Sequence, residues 1–575
     1  MSTHTLQERT MTTWDGTELF YRAWLPEGTY DRALVLFHRG HEHSGRLLSL
    51  VEGLDLQDFA IFSWDARGNG QSPGERDDAE SFSVYVRDAD CFVRFLAEEY
   101  SIPVSSMGVI ANSVGGVIAA TWVHDYAPPI RALVLAAPAF RIKLYVPLAI
   151  PGLRLAQRLG VMKYVKSYVK SRVLTHDREE QQRFNDDPLI TNSISTRILL
   201  GVHDTATRVV EDAGAIRVPT LLLMAGSDWV VKTAPQKEFF DGLSSPKKEI
   251  EYYPDFYHAI YHETERSRPL TRTREFLLER FADSTTPEPL LHADIEGYTK
   301  EEYDRLQQPS LNPIFPLARF GMKTLGRLSA GIRLGLRDGF DSGVTLDCVY
   351  RNQPEGTLLI GKLIDYFYLN SIGWVGIRAR KVNLEELLRK YVRKQHEAGG
   401  TVQLMDIAAG PGRYVLDVIE ELPDIPIRAL LQDYKEVNVT AGRELAAARG
   451  LQSVTYQQGD AFDRKHLAQT TPPPTIAIVS GLYELFPANA PVRDSLHGLS
   501  DAMAPGSYLI YTDQPWHPQV EMIARTLTNR EGEPWIMRRR TQEEMDDLVR
   551  EAGFEKLEMR IDDYGIFTVS VARKR

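Results

Sequence analysis

Two separate stretches of this 575-residue chain alternate short apolar runs with helix-period sequence. That alternation restricts each stretch to a parallel sheet with helices on both faces. In the first the runs are ALVLFH, DFAIFSW, SMGVIAN, RALVLAAP, TLLLMAG and KEIEYYP, starting at Ala33. In the second they are VQLMDIA, IRALLQD, VTYQQGD, TIAIVSG and SYLIYTD, then KLEMRI and IFTVSVA on either side of DDYG. The short spacing of that last pair predicts antiparallel strands at the sheet edge. The length exceeds what one hydrophobic core can serve. Basic, helical sequence interrupts the first series at about 139–215 and reads as a cap over one end of the sheet. ADSTTPEPLLHAD, 282–294, has linker composition. The expected division is 1–282 with its cap, a linker and helical connector over 283–345, and 346–575.

A net charge of −11 argues against general nucleic-acid binding, which wants a basic surface. Cys91 and Cys348 are too few and too far apart for a disulfide framework or a zinc site, and no metal is expected. The opening MSTHTLQERTMTTWDGTELF lacks a basic segment followed by an apolar one, and no run approaches the roughly 18 apolar residues of a membrane span. These features predict a cytoplasmic protein.

MGVIANSVGG supplies a strand, a tight turn at Ser113 and a helix opened by Gly115 and Gly116. A nucleophilic serine needs that geometry, with small flanking residues because strand and helix backbones nearly touch. Ala111 stands where glycine is usual. Serine also needs a base and an acid to orient the base. Asp228 follows the strand TLLLMAG and His258 follows KEIEYYP, so Ser, Asp and His each come at a strand's carboxyl end. His262 is the competing base, one helical turn later. The backbone N–H of Val114 and of Gly40, in the loop HRGHEHSGR, are the expected oxyanion donors.

Residues 1 to about 282 resemble the α/β-hydrolase superfamily, specifically its monoacylglycerol lipase/lysophospholipase group. The resemblance rests on HRGHEHSGR, WDARGNGQSPG, ANSVGG, LTHDREEQQRFNDDPLI, LLLMAGSDWVV and YHAIYHE. It implies a serine hydrolase acting on carboxylic esters of lipid-like compounds. In that group the first loop usually reads His-Gly-x-Gly; here Arg39 and His41 replace the two glycines, and Arg39 is expected to crowd or charge the site's mouth. Eight Lys or Arg and no acid lie between Arg141 and His176, interspersed with apolar residues. This suits peripheral contact with an anionic membrane face. PIFPLARFGMKTLGRLSAGIRLGLR, 313–337, has the same character, with Arg319, Lys323 and Arg327 expected on one helical face.

VQLMDIAAGPGRYVLDVI reads as strand, glycine turn, helix, in which the glycines let backbone approach a cofactor. A dinucleotide fingerprint wants Gly or Ala at its sixth position, where this chain has Val415. Asp406 precedes the turn, placed to meet a cationic donor. Asp433 ends the next strand, placed for ribose hydroxyls. Asp460, with Ala461 beside it, ends the third, placed for an adenine amino group. Residues 346–575 resemble class I S-adenosylmethionine-dependent methyltransferases, a Rossmann-like fold, through DIAAGPG, LLQD, GDAF, TIAIVSGLYELF and the terminal strand pair. The resemblance implies S-adenosylmethionine as cofactor, held by Asp406, Ala408, Gly410, Gly412, Asp433, Asp460 and Ala461, with Ala408 where the family's glycine stands. Tyr483, Glu484, Asp513 and His517 follow the fourth and fifth strands and are acceptor-site candidates.

Together the halves resemble bacterial hydrolase/methyltransferase fusions. Three readings stay open: a two-headed enzyme, a lipase regulated by a non-catalytic donor-binding module, and an acyltransferase using the same serine. The partner expected in each is a small-molecule or lipid substrate.

Overall fold

A computed structural model describes residues 4–283, 285 and 287–575. Ser284 and Thr286, within the expected linker, lie outside the described residues. The chain divides into two compact units, Met1–Pro287 and Glu288–Arg575.

The first unit is built on an eight-stranded sheet. Its first six strands are β1 (Thr5–Thr12), β2 (Glu18–Leu25), β3 (Ala33–Phe37), β4 (Ala60–Trp64), β5 (Met107–Asn112) and β6 (Ala132–Ala136). β7 (Tyr164–Lys166) and β8 (Ser193–Ser195) follow in the chain and form a separate antiparallel pair. β9 (Thr220–Ala225) and β10 (Lys248–Tyr253) complete the main sheet, ordered β1-β2-β4-β3-β5-β6-β9-β10. From β4 to β10 all pairings are parallel. Every residue of β3, β4, β5, β6 and β9 is buried, as strands covered on both faces require. β1 and β2 were not among the apolar runs read from the sequence: β1 buries only Met11, so it carries no apolar alternation. Register pairs Phe37 with Ala111 and Asn112 with Ala136, which sets the loops after β3, β5 and β6 side by side at the carboxyl edge.

The second unit carries a seven-stranded sheet. Its strands are β11 (Val402–Asp406), β12 (Ile427–Asp433), β13 (Val454–Gln458), β14 (Ile476–Val479), β15 (Tyr508–Asp513), β16 (Phe554–Ile561) and β17 (Thr568–Lys574). Their order across the sheet is β13-β12-β11-β14-β15-β17-β16. The first five are parallel; β17 runs antiparallel to β15 and β16 forms the edge. This is a Rossmann-like arrangement with an antiparallel terminal pair.

The stretch read as linker and connector, 283–345, joins the second unit from Glu288 onward. Leu290 N–H donates to Asp547 (2.8 Å), Asn489 N–H donates to Asp294 (2.8 Å), and Asn489 Nδ2 donates to Leu291 O (3.3 Å). Nor is 313–337 one helix. The Ile314–Lys323 helix stops at Thr324, a short turn spans Leu325–Leu328, and Ser329 caps a new helix, Ala330–Asp338, by accepting from Ile332 N–H. Arg327 therefore leaves the face shared by Arg319 and Lys323. Phe340, Val349, Leu369 and Trp374 from this helical region pack with Trp535, Met537 and Phe567 into a second apolar layer. Among the described residues no helix is long and apolar enough to cross a membrane.

Candidate functional sites

β5 ends in a turn at Ser113, whose φ of 52° and ψ of −114° lie outside the conformations favoured by side-chain-bearing residues. The Val114–Tyr126 helix starts immediately, so Ser113 stands at a strained strand-to-helix corner. Ser113 N–H donates to Ala136 O (3.0 Å) and Ala139 N–H to Ser113 O (2.9 Å), clamping the corner to the end of β6. A Cβ on Gly115 would fall 2.5 Å from His38 O and 2.8 Å from Phe37 O. Only glycine admits that approach. Ala111 is fully buried and its methyl is accommodated in β5.

His258 Nε2 lies 2.8 Å from Ser113 Oγ, and His258 Nδ1 lies 2.8 Å from Asp228 Oδ2. All three side chains are buried. The other carboxylate oxygen of Asp228 accepts from the N–H of Val230 (2.7 Å) and Val231 (2.9 Å). Burial alone would raise the Asp228 pKa; the imidazole of His258 and these N–H donors outweigh it and hold the carboxyl below its ordinary value. Residues 113, 228 and 258, scattered over the sequence, thus form one hydrogen-bonded chain. His262 is excluded from it: Nε2 lies 2.9 Å from Arg46 O, and burial, reinforced by the charge of Arg39, drives its pKa down to about 4.

A narrow cavity of about 90 Å³ opens onto Ser113 and His258. Gly40 and Val114 line it, and a Cβ on Gly40 would lie 3.1 Å from Val114 Cγ2, so the Val114 side chain packs against Gly40. Among the described residues neither backbone N–H has an acceptor. Its apolar wall comes from the segment between β6 and β9, through Ile142, Leu144, Val165, Leu174, Phe184 and Leu199. Arg39 also borders the cavity, but Glu42 neutralises it through two hydrogen bonds, Nε–Oε2 at 3.0 Å and Nη2–Oε1 at 2.5 Å. The expected free charge at the mouth is therefore absent.

In the second unit a cavity of about 610 Å³ lies beyond β11, β12 and β14. Ala408, Gly410, Gly412 and Asp433 line it. Gly410 and Gly412 have φ of 56° and 73°, and a Cβ on Gly410 would find nothing closer than Gly343 Cα at 4.0 Å. Asp433 Oδ2 accepts from Gly410 N–H (3.0 Å), while Oδ1 accepts from Lys435 N–H and Asn438 Nδ2 (2.9 Å each). Asp406 does not line the cavity. Fully buried behind the turn, it accepts from Tyr414 Oη (2.6 Å) and Ala408 N–H (3.0 Å), and desolvation pushes its pKa up to about 7. Asp460 and Ala461 are also outside the lining. They follow the edge strand β13, and Asp460 is exposed, accepting from Phe462 N–H (2.9 Å).

The lining also includes residues the motif reading passed over: Asp341 and Ser342 before the Gly343–Arg351 helix, Gly343 at its start, Arg380 on the Ile372–Glu397 helix, and Arg530. The polar turn RDGFDSG was the available signal. Of the four acceptor candidates, Glu484 and His517 line an adjoining chamber of about 420 Å³. Tyr483 is turned into the core, donating to Ser495 Oγ (2.9 Å). Asp513 is buried with both oxygens unpartnered, and desolvation raises its pKa well above the carboxylate range.

The folds and sites define a chain with an α/β-hydrolase domain followed by a methyltransferase domain. A family model described as "Serine aminopeptidase, S33" matches residues 28–265. The chain belongs to the family whose model, described as "Putative methyltransferase", matches residues 273–574. It is 49% identical over 577 residues to "Uncharacterized protein YnbC" of Escherichia coli (strain K12), covering 99% of this chain and 98% of that one. Its first half is 28% identical over 256 residues to the monoglyceride lipase of Rattus norvegicus, spanning 43% of this chain and 82% of the relative. Among solved structures, a Paleococcus ferrophilus monoacylglycerol lipase matches at 24% identity and a TM-score of 0.42, covering 46% of this chain and 99% of that one.

Proposed function

We propose that the first unit hydrolyses carboxylic esters of lipid-like compounds, with Ser113 as nucleophile, and that the second transfers a methyl group from S-adenosylmethionine. The hydrogen-bonded chain Ser113–His258–Asp228 carries the first assignment. Ser113 Oγ attacks the ester carbonyl while its proton passes to His258 Nε2. Asp228, held ionised, fixes the imidazole with Nδ1–H toward itself and stabilises the imidazolium that forms. The unengaged N–H groups of Gly40 and Val114 receive the oxyanion. His258 then returns the proton to the departing alcohol, and water repeats the sequence on the acyl-serine.

The apolar cavity wall supports an acyl chain as the group recognised. The segment between β6 and β9 exposes Tyr145, Val146, Leu148 (80% exposed), Leu155 and Val161 near Arg158 in the chain, with Arg154 paired to Asp204 at 2.5 Å and Lys163 paired to Glu75. This supports adsorption to an anionic lipid surface at the inner face of a membrane. Ser113→Ala should abolish turnover of a short nitrophenyl ester; retained turnover removes Ser113 from its role.

For the second unit, the open space at Gly410 and the carboxylate of Asp433 fit an adenosyl donor: backbone of Ala408–Gly412 for close approach, Asp433 for two ribose hydroxyls. Asp406 acts from behind, fixing the turn through Ala408 N–H and Tyr414. S-adenosylmethionine, when bound, supplies an electrophilic methyl group on a sulfonium. Calorimetric titration with S-adenosylmethionine tests this; absence of saturable heat with folded protein refutes it.

A further inference from the structure

The donor cavity does not end at its own wall. Asp341, Leu346, Arg380, Gly481 and Leu485 line both it and the 420 Å³ chamber, so the two spaces meet at these residues. Phe367, which is 66% exposed, also lines the chamber. Much of the wall is apolar: Ile332, Trp374, Ile377, Trp535, Met537 and Phe567.

Polar groups are interspersed in this lining, and the ionisable ones that bear on an acceptor are Asp341, Arg380, Glu484 and His517. Arg380 is buried and paired with Glu484 through Nη1 at 2.8 Å, while its Nε has no partner. Glu484 Oε2 is buried and without a partner. Desolvation raises the Glu484 pKa above its ordinary value despite Arg380. His517 cannot serve as base: its Nδ1 accepts from Gln519 N–H (3.0 Å), and burial, with the charge of Arg539, drives its pKa down to about 3. The neutral ring therefore carries its proton on Nε2. Asp341 Oδ1 is also unpartnered, but Asp341 borders both cavities and its other oxygen is held by Arg530 (3.1 Å). Glu484 borders the chamber alone.

We propose that this chamber takes an uncharged, largely apolar molecule bearing one weakly acidic hydroxyl, a phenol or enol, whose O–H donates to Glu484 Oε2. The proposal rests on the methyl-donor reading of the adjoining cavity. A carboxylate entering the chamber would have to compete with Glu484 for Arg380 and would set a second negative charge beside it, and an ammonium would lose its hydration to apolar walls. A hydroxyl satisfies the orphaned oxygen without bringing charge. In the transfer, the acceptor oxygen bonds the methyl carbon as the carbon–sulfur bond breaks; the bonding pair stays on sulfur and the hydroxyl proton passes to Glu484.

The test uses the full-length protein and three matched probes: para-hexylphenol, para-hexylbenzoate and para-hexylbenzylamine. By calorimetry the phenol should bind at least about tenfold tighter than either charged probe. Ile364→Trp, which fills the chamber, should weaken phenol binding by about tenfold and leave S-adenosylmethionine binding intact. Glu484→Gln should keep phenol binding within about threefold and slow formation of the labelled methyl ether about 100-fold. Equal or tighter binding of benzoate or amine, or full transfer by Glu484→Gln, overturns the proposal. The order of probe binding is read on the wild-type chain and does not depend on how either variant folds. If the phenol binds in the stated order but S-adenosylmethionine does not bind, the donor reading fails and the chamber's ligand class stands.

Discussion

Gly115→Ala isolates the geometry on which the hydrolase site depends. The added Cβ would meet His38 O at 2.5 Å, Phe37 O at 2.8 Å and Phe37 C at 3.0 Å. These are backbone atoms at the end of β3 and cannot rotate aside. Ordinary contact begins near 3.4 Å, so the helix must back away by roughly 0.9 Å. Ser113 moves with that helix, whereas His258 sits on the loop after β10. The 2.8 Å contact between Oγ and Nε2 cannot survive a shift of that size along its direction. Misplacement of about 1 Å costs about 100-fold in rate. Overpacking also costs about 1–3 kcal/mol, a drop of a few degrees in Tm for each kcal/mol. The assay is kcat/KM on para-nitrophenyl butyrate, with Tm followed by circular dichroism. Gly152→Ala is the control, since a Cβ there meets nothing within 4 Å and the position lies inside the Ala149–Arg158 helix. It should be stabilised by about 0.5–1 kcal/mol with kcat/KM unchanged. Wild-type kcat/KM and Tm in Gly115→Ala would refute the reasoning.

Asp228→Asn should lower kcat by about 10⁴-fold, because the amide favours the wrong imidazole tautomer; burst kinetics on the same ester would reveal it, and a loss under tenfold contradicts the assigned role. His124 is buried between Asp125 (2.7 Å) and Asp212 (2.7 Å). Burial lowers its pKa, but the two carboxylates outweigh this and raise it above the ordinary 6.5. The first unit's stability from this group is full below pH 6.5 and is lost as pH rises through the raised folded value. Thermal melts of wild type and His124→Gln from about pH 6 to 9 should converge at the alkaline end. For Asp406 the folded pKa of about 7 exceeds the unfolded 3.8, so the second unit loses stability as pH rises between those values. Asp406→Asn should remove that loss, leaving the variant more stable than wild type at about pH 8. Replacing Leu148, Leu155 and Val161 by Ser should reduce sedimentation with anionic vesicles and spare turnover of soluble esters.

The elbow and the glycine turn were legible because both are local. Small residues at 111, 115 and 116, and at 410 and 412, announce backbone close to backbone, whatever the rest of the fold does. The strands were legible for a related reason: β3, β5, β6 and β9 are buried on both faces and must be apolar throughout. β1 escaped because its solvent-facing ribbon has no such requirement. Asp406, Asp433 and Asp460 look equivalent along the chain, each ending or following a strand, yet only Asp433 lines the 610 Å³ cavity. Strand order separates them. β13 is at the edge, and the Asp406 side chain turns behind its own loop.

Sequence alone determined the two α/β architectures, their order along the chain, and the identity of the Ser, His and Asp that meet. Tertiary structure alone decided that Glu42 neutralises Arg39, that residues from 288 onward belong to the second unit, and that Glu484 rather than Tyr483 faces an apolar chamber. Periodicity and turn chemistry are properties of neighbours in sequence. The direction of a side chain after helices and sheet have packed is set by residues tens to hundreds of positions away.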